Sequence, residues 1–275
     1  MMNNIVGICE RAALQMRRDI VRMGLKAGPS GAHLGGALSA VEILATLYLG
    51  VLRIPKRDCS FEARDRFILS KGHCVMAQYA AMRQAGILAE ADLETFENGD
   101  SDLCSHATMK VPLGIEFSTG SLGQGLSMGL GTALALRHSN NDDSRVIVLL
   151  GDGECDEGQV WEAAMCAAHY NLANMIAIVD MNGMQLDGTT ENILQLGNLA
   201  EKWRAFGWTT QELDGHNISA LLRAFEEKPD KPLAIIAHTV KGRGISFMEH
   251  ATAWHHGRLG KKQYEQALAE LEGQR

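Results

Sequence analysis

The run Val146-Ile-Val-Leu-Leu-Gly-Asp152-Gly-Glu154 is answered, after a helical stretch, by Met175-Ile-Ala-Ile-Val-Asp-Met-Asn182-Gly183. Each begins as a short apolar segment and breaks off in glycine with an acid or amide side chain. Short apolar runs separated by a helix read as strands buried on both faces, the habit of a parallel sheet. The two strands would bring Asp152 and Asn182, thirty positions apart, to one sheet edge. Ligands of open α/β sheets bind beyond the carboxyl ends of strands.

The residue types at that edge suit a divalent metal carrying a diphosphate. Gly151 and Gly153 let the backbone turn sharply and approach a phosphate, and the helix that follows would turn its free N–H groups toward the anion. Magnesium takes one or two carboxylate or amide oxygens and fills its octahedron from phosphate and water. Asp152 would give one oxygen, the Asn182 amide a second and the Met184 carbonyl a third; calcium or manganese would also suit this set. Gly-Asp-Gly alone also serves as a tight turn, and the second strand's Asp-Met-Asn-Gly ending is what favours a ligand site. A phosphate loop of the GxxxxGK[ST] type is absent, and Lys241-Gly-Arg-Gly has the wrong order for one.

Outward from this core, the pattern predicts an amphipathic helix over residues 4–26, with Arg11, Arg17, Arg18 and Lys26 on its polar face, broken by Gly28-Pro-Ser-Gly31. A second helix is expected over 37–49, with Ser39 as a candidate cap. A strand at 67–70 runs into Lys71-Gly-His73 and a helix through residue 85. Residues 98–117 show no period, and 120–136 form a helix of small residues. Further strands near 209–213 and 233–239 alternate with helices at 158–170, 197–206 and 217–227, and a last helix covers 261–271. Strand–helix alternation implies a mostly parallel sheet with helices on both faces, and residues 1–275 are expected to form a single domain.

Composition sets further bounds. With 46% apolar and 21% charged residues and a net charge of −7, the chain reads as a globular protein with no general attraction for nucleic acid. No apolar stretch reaches the roughly 20 residues that span a bilayer, and no signal peptide is evident. Its six cysteines include no CxxC pair, which favours reduced thiols and a cytoplasmic location.

Several motifs, in order, resemble the N-terminal half of transketolase and its thiamine diphosphate-binding fold. They are Ser30-Gly-Ala-His33-Leu-Gly-Gly, Asp65-Arg-Phe-Ile-Leu-Ser-Lys-Gly-His73, Gly120-Ser-Leu-Gly-Gln-Gly125, Gly151-Asp-Gly-Glu-Cys-Asp-Glu-Gly158 and His255-His-Gly257. The resemblance implies thiamine diphosphate and Mg2+ as cofactors, with Asp152, Gly153 and Asn182 at the diphosphate and metal, and His73 donating to the diphosphate. Backbone groups of Gly120 and Leu122 would meet the aminopyrimidine. His33 and His106 would line the substrate channel and, with His256, serve the reaction; His255 is one residue away and would exchange with His256 on a slip of alignment. The chain has one residue more than the family pattern between Gly31 and His33. His138, His169, His216, His238 and His250 are expected outside the site, with His216 in a turn. Glu157 fits either an acid near the family's two-fold interface or a helix-start glutamate.

The family also requires a glutamate beside the pyrimidine ring, which lies in a second α/β domain, and none of this chain's acids sits in a matching motif. The expectation is therefore one half of a split transketolase, transferring a two-carbon ketol unit between a ketose phosphate and an aldose phosphate. A separate C-terminal subunit would carry the pyrimidine domain, and the chain would also self-associate across a two-fold. Alternatives are the alpha chain of a 2-oxo-acid dehydrogenase, a deoxyxylulose phosphate synthase relative, or a non-catalytic binding protein that keeps the fold.

Overall fold

The computed structural model describes residues 2–54, 62–141, 143–226 and 229–273, with the side chains of residues 2 and 3 left out. Five strands, β1 (Arg66–Leu69), β2 (Val146–Gly151), β3 (Met175–Met181), β4 (Thr209–Asp214) and β5 (Leu233–His238), pair throughout in parallel in the order β1-β2-β3-β5-β4. The helices are α1 (Met2–Lys26), α2 (Leu34–Ser39), α3 (Val41–Thr46), α4 (Val75–Gln84), α5 (Glu90–Leu93), α6 (Gln124–His138), α7 (Gly158–His169), α8 (Thr190–Ile193), α9 (Leu199–Ala205), α10 (Ile218–Ala224) and α11 (Lys261–Glu272).

Successive strand residues point to opposite faces, and here both faces are buried. Ile147, Leu149, Ile176 and Ile178 join one apolar core with Met16 and Ile20 of α1, Tyr79 of α4 and Leu221 of α10. Val146, Val148, Ala177 and Val179 join a second core with Leu126 of α6, Ala163 of α7 and Trp203 of α9. That division explains why β2 and β3 are apolar without alternation. By contrast β4 is an edge strand, only partly buried, and Glu212 pairs with His238 along it. The small residues of α6 serve close packing: a Cβ on Gly129 would sit 2.6 Å from Val148 Cγ2.

Some sequence expectations need correction. Arg17 does not lie on the polar face of α1; it is buried, because both its terminal nitrogens donate to Glu42, at 2.7 and 2.9 Å. The second helix starts at Leu34 and is interrupted at Ala40, then runs through α3 into a wide turn over Leu47–Val51. Ser39 caps nothing; it closes α2 and donates to Asp180 Oδ2 at 2.6 Å. Five cysteines are unpaired, while Cys59 lies outside the described residues. Among the described residues no helix is long and apolar enough to cross a membrane.

Candidate active site

Register places the opening pair of residues. Gly151 of β2 lies opposite Asp180 of β3, so Asp152 and Asn182 emerge together from the carboxyl ends of adjacent strands. Both are buried. Asp152 accepts from Gly153 N at 2.9 Å and Gly183 N at 2.6 Å. Asn182 donates to Asp180 Oδ2 at 3.3 Å and its Oδ1 accepts from Met184 N at 3.1 Å.

These residues open on a cavity of about 270 Å³ that also exposes His33, Lys71, His73, His106, Gly120, Leu122, Gly153, Glu154, Lys241 and His255. A wider depression of about 680 Å³ lies beside Ile87, Leu88 and the loop from Asn98 to Leu103, away from the strand ends. The smaller cavity is the one that brings histidines and lysines together with acids.

Beneath its floor, Asp180 is fully buried and receives Lys71, Thr239 and Ser39. Burial alone would raise the Asp180 carboxyl, but the Lys71 ammonium holds it below its ordinary value, and Asp180 in turn raises Lys71 against its own burial. Among the described residues Asp152 has no cation in direct contact. Burial, then the neighbouring Asp180 charge, push it up to about 6 despite its two backbone donors.

The histidines form a cluster. The ring centroid of His33 lies 5.3 Å from those of His73 and His106, and 5.7 Å from that of His255. His73 stacks on His255 at 5.2 Å. Burial lowers His33 to about 4 and His255 to about 3, and lowers His73 as well, with neighbouring cations and imidazoles adding to the effect; burial also lowers His106, against the opposing pull of Glu97. The cluster is therefore neutral near pH 7, with each ring offering one N–H donor and one acceptor. His106 rests on Gly120, where a Cβ would meet its Cδ2 at 3.1 Å.

His255 lines the cavity, whereas His256 packs its ring on His33 at 4.5 Å and is not among the lining residues. Ala32, next to His33, exchanges two backbone hydrogen bonds with Gly257, 2.9 and 3.0 Å long. His33 still reaches the cluster. Glu157 is exposed at the start of α7. Outside the cluster, His216 binds Glu42 at 2.9 Å, and His138 and His169 stand at helix ends.

Glu154 and Lys241 stand in the cavity although the sequence patterns gave neither a role there. Glu154 accepts from Ser70, Gly123 N and Gly151 N, tying three lining segments together. Lys241 donates to the carbonyls of Met184 at 3.1 Å and Gln185 at 3.2 Å, and contacts His255 Nδ1 at 2.9 Å. Its position just past the end of β5 was the available signal. Burial, then Lys71, bring Lys241 down to about 8.

A metal–diphosphate pair fits this donor set. Among the described residues no three His, Cys, Asp or Glu side chains converge on a metal cage, so a cation here would rely on Asp152, Asn182, a carbonyl and the ligand's own oxygens. Asp152 is a buried carboxylate that, among the described residues, makes no contact ion pair, and a divalent cation would supply one. The Met184 carbonyl already accepts from Lys241, but a carbonyl oxygen has a second lone pair.

Comparison with known proteins agrees with the geometry. Residues 12–272 match the family model described as transketolase, thiamine diphosphate binding domain. Over 258 residues the chain is 40% identical to one of the subunits of apulose-4-phosphate transketolase from Phocaeicola vulgatus, covering 93% of this chain and 90% of that one. It is 42% identical over 243 residues to the 6-deoxy-6-sulfo-D-fructose transketolase subunit SqwG of a Clostridium species, covering 87% and 88%. Transketolase from Campylobacter jejuni superposes with a TM-score of 0.89 at 28% identity, over 97% of this chain and 43% of that one. The chain thus spans about two fifths of that longer transketolase.

Proposed function

The chain belongs to the transketolase family as an enzyme polypeptide built on its thiamine diphosphate-binding domain, and on that premise we propose that it holds the cofactor's diphosphate and metal while a second polypeptide completes the active site. The observation that carries this is the convergence of Asp152, Asn182, His73 and Lys241 on one cavity at the strand ends. The proposed metal ligands are Asp152, Asn182 and the Met184 carbonyl, with Mg2+ the expected ion. Residues 1–275 are taken as one domain.

Thiamine diphosphate, when bound, supplies the nucleophilic carbon and electron sink for moving a two-carbon ketol unit. The protein's part is placement and proton handling. His73, Lys241 and the backbone at Gly153 are the proposed diphosphate partners, and backbone groups of Gly120 and Leu122 the proposed partners of the aminopyrimidine. His33, His106 and His255, neutral near pH 7, can donate to sugar hydroxyls or accept from them, the behaviour general acid–base work requires. We assign the late histidine role to His255 in preference to His256, because His255 faces the cavity.

Two features support a partner polypeptide. Relatives whose names make them transketolase subunits match over nearly the full length of both chains. Leu122 and Leu186, 37% and 58% exposed, also stand at the cavity and suit coverage by another protein surface. A second copy of this chain, together with a pyrimidine-binding partner, is the proposed assembly, and sugar phosphates are the proposed substrates. Ketol transfer is expected from the chain mixed with such a partner, thiamine diphosphate and Mg2+. Full activity of the purified chain alone would refute the division of labour.

A further inference from the structure

We infer that His216 is a positioning residue, which sets where Lys241 stands in the cavity by holding the backbone at Val240. This rests on the assignment of that cavity to the diphosphate. His216 comes from the turn between β4 and α10 and is not among the residues lining the cavity.

The chain of contacts is short and directional. Val240 N donates to His216 Nε2 at 2.9 Å, so that nitrogen is the bare acceptor. The ring proton therefore sits on Nδ1 and is donated to Glu42 Oε2, also at 2.9 Å. Both Glu42 oxygens are held by Arg17, whose Nε reaches on to the Arg243 carbonyl at 3.0 Å. The backbone is thus gripped on both sides of Lys241, at 240 by His216 and at 243 by Arg17.

The turn in between depends on such holding. Gly242 has φ +83°, and a Cβ there would lie 2.2 Å from the Met248 carbonyl oxygen, so no other residue fits. Lys241 leaves this turn with all three ammonium hydrogens directed, toward the Met184 and Gln185 carbonyls and His255 Nδ1. By accepting from Lys241, His255 keeps its own proton on Nε2. A shift of the turn would therefore disturb a cation and the tautomer of a cavity histidine together. A buried ion pair between α1 and α3 needs no third partner for stability alone. Here one of its hydrogen bonds reaches the segment that bears Lys241 directly, at Arg243, and another reaches it through His216.

Two substitutions separate positioning from packing. A Gln side chain can place an acceptor where Nε2 stands, and so keep the Val240 bond. An Asn side chain can place a donor where Nδ1 stands, and so keep only the Glu42 bond. In the full-length chain without cofactor, labelling of Lys241 by an acetylating reagent, read by mass spectrometry, is expected to rise about tenfold in His216→Asn and His216→Ala and to stay near wild type in His216→Gln. Calorimetry with thiamine diphosphate and Mg2+ is expected to show the same order, with Kd weakened about tenfold in His216→Asn and restored in His216→Gln. Equal labelling of the Asn and Gln variants, or wild-type labelling in His216→Ala, would overturn the inference. The labelling pattern with no cofactor binding by the wild type would leave the positioning intact and refute the diphosphate assignment instead.

Discussion

Asp152→Asn should separate what the site does for stability from what it does for binding. In the chain without metal, burial and Asp180 raise the Asp152 carboxyl from 3.8 to about 6. A carboxyl whose folded pKa is raised contributes stability that is fully present below about 3.8 and is lost as pH rises through about 6. Linkage gives the wild type about 1.4 kcal/mol more stability at pH 5 than at pH 8 from this group alone. The variant lacks the titration, so the stability difference between the two proteins should change by that amount across the interval. A fixed loss comes on top: Asp152 accepts from Gly153 and Gly183 through separate oxygens, and an amide keeps only one acceptor oxygen. Leaving one N–H unpaired costs about 1–3 kcal/mol. At pH 5 the variant should therefore be clearly less stable than wild type, and at pH 8 the gap should narrow by about 1.4 kcal/mol. Urea denaturation in EDTA at both pH values reads the difference directly, and a gap that does not change with pH would refute the linkage. With Mg2+ and diphosphate present at pH 8 the gap should widen again, because only the wild type gains ligand stabilisation.

Other substitutions probe the floor and wall of the cavity. Lys71→Met leaves the Asp180 carboxylate buried with only neutral partners, and loss of one member of a buried pair costs about 3–5 kcal/mol; a fall of under about 1 kcal/mol in denaturation would contradict the described pairing. Glu154→Ala removes the acceptor shared by Ser70, Gly123 and Gly151, and should weaken thiamine diphosphate binding about tenfold or more in calorimetry. His255→Ala should impair cofactor binding more than His256→Ala, since His255 faces the cavity; the opposite order would return the role to His256.

Much of this architecture is written locally in the chain. The apolar runs of β2 and β3 disclose strands buried on both faces, and their abrupt Gly-Asp-Gly and Asn-Gly endings mark the ligand edge. What local pattern cannot show is a long-range partner. Arg17 looks like a surface arginine on a helical wheel until Glu42, brought in by α3, draws it inward. Ser39 sits where a cap would be plausible, yet it serves Asp180, 141 positions further along the chain. Lys241 has no motif around it that belongs to a phosphate loop, and only the fold aligns the end of β5 with the ends of β2 and β3. The choice between His255 and His256 turns on which side of one turn faces inward, a distinction adjacent residues do not carry in sequence.

Calorimetric titration of the purified chain with thiamine diphosphate, with Mg2+ and then in EDTA, tests the central claim most directly. Binding that appears with Mg2+, vanishes in EDTA and is lost in Asp152→Asn is the predicted result. Binding that ignores the metal, or survives Asp152→Asn unchanged, would contradict it.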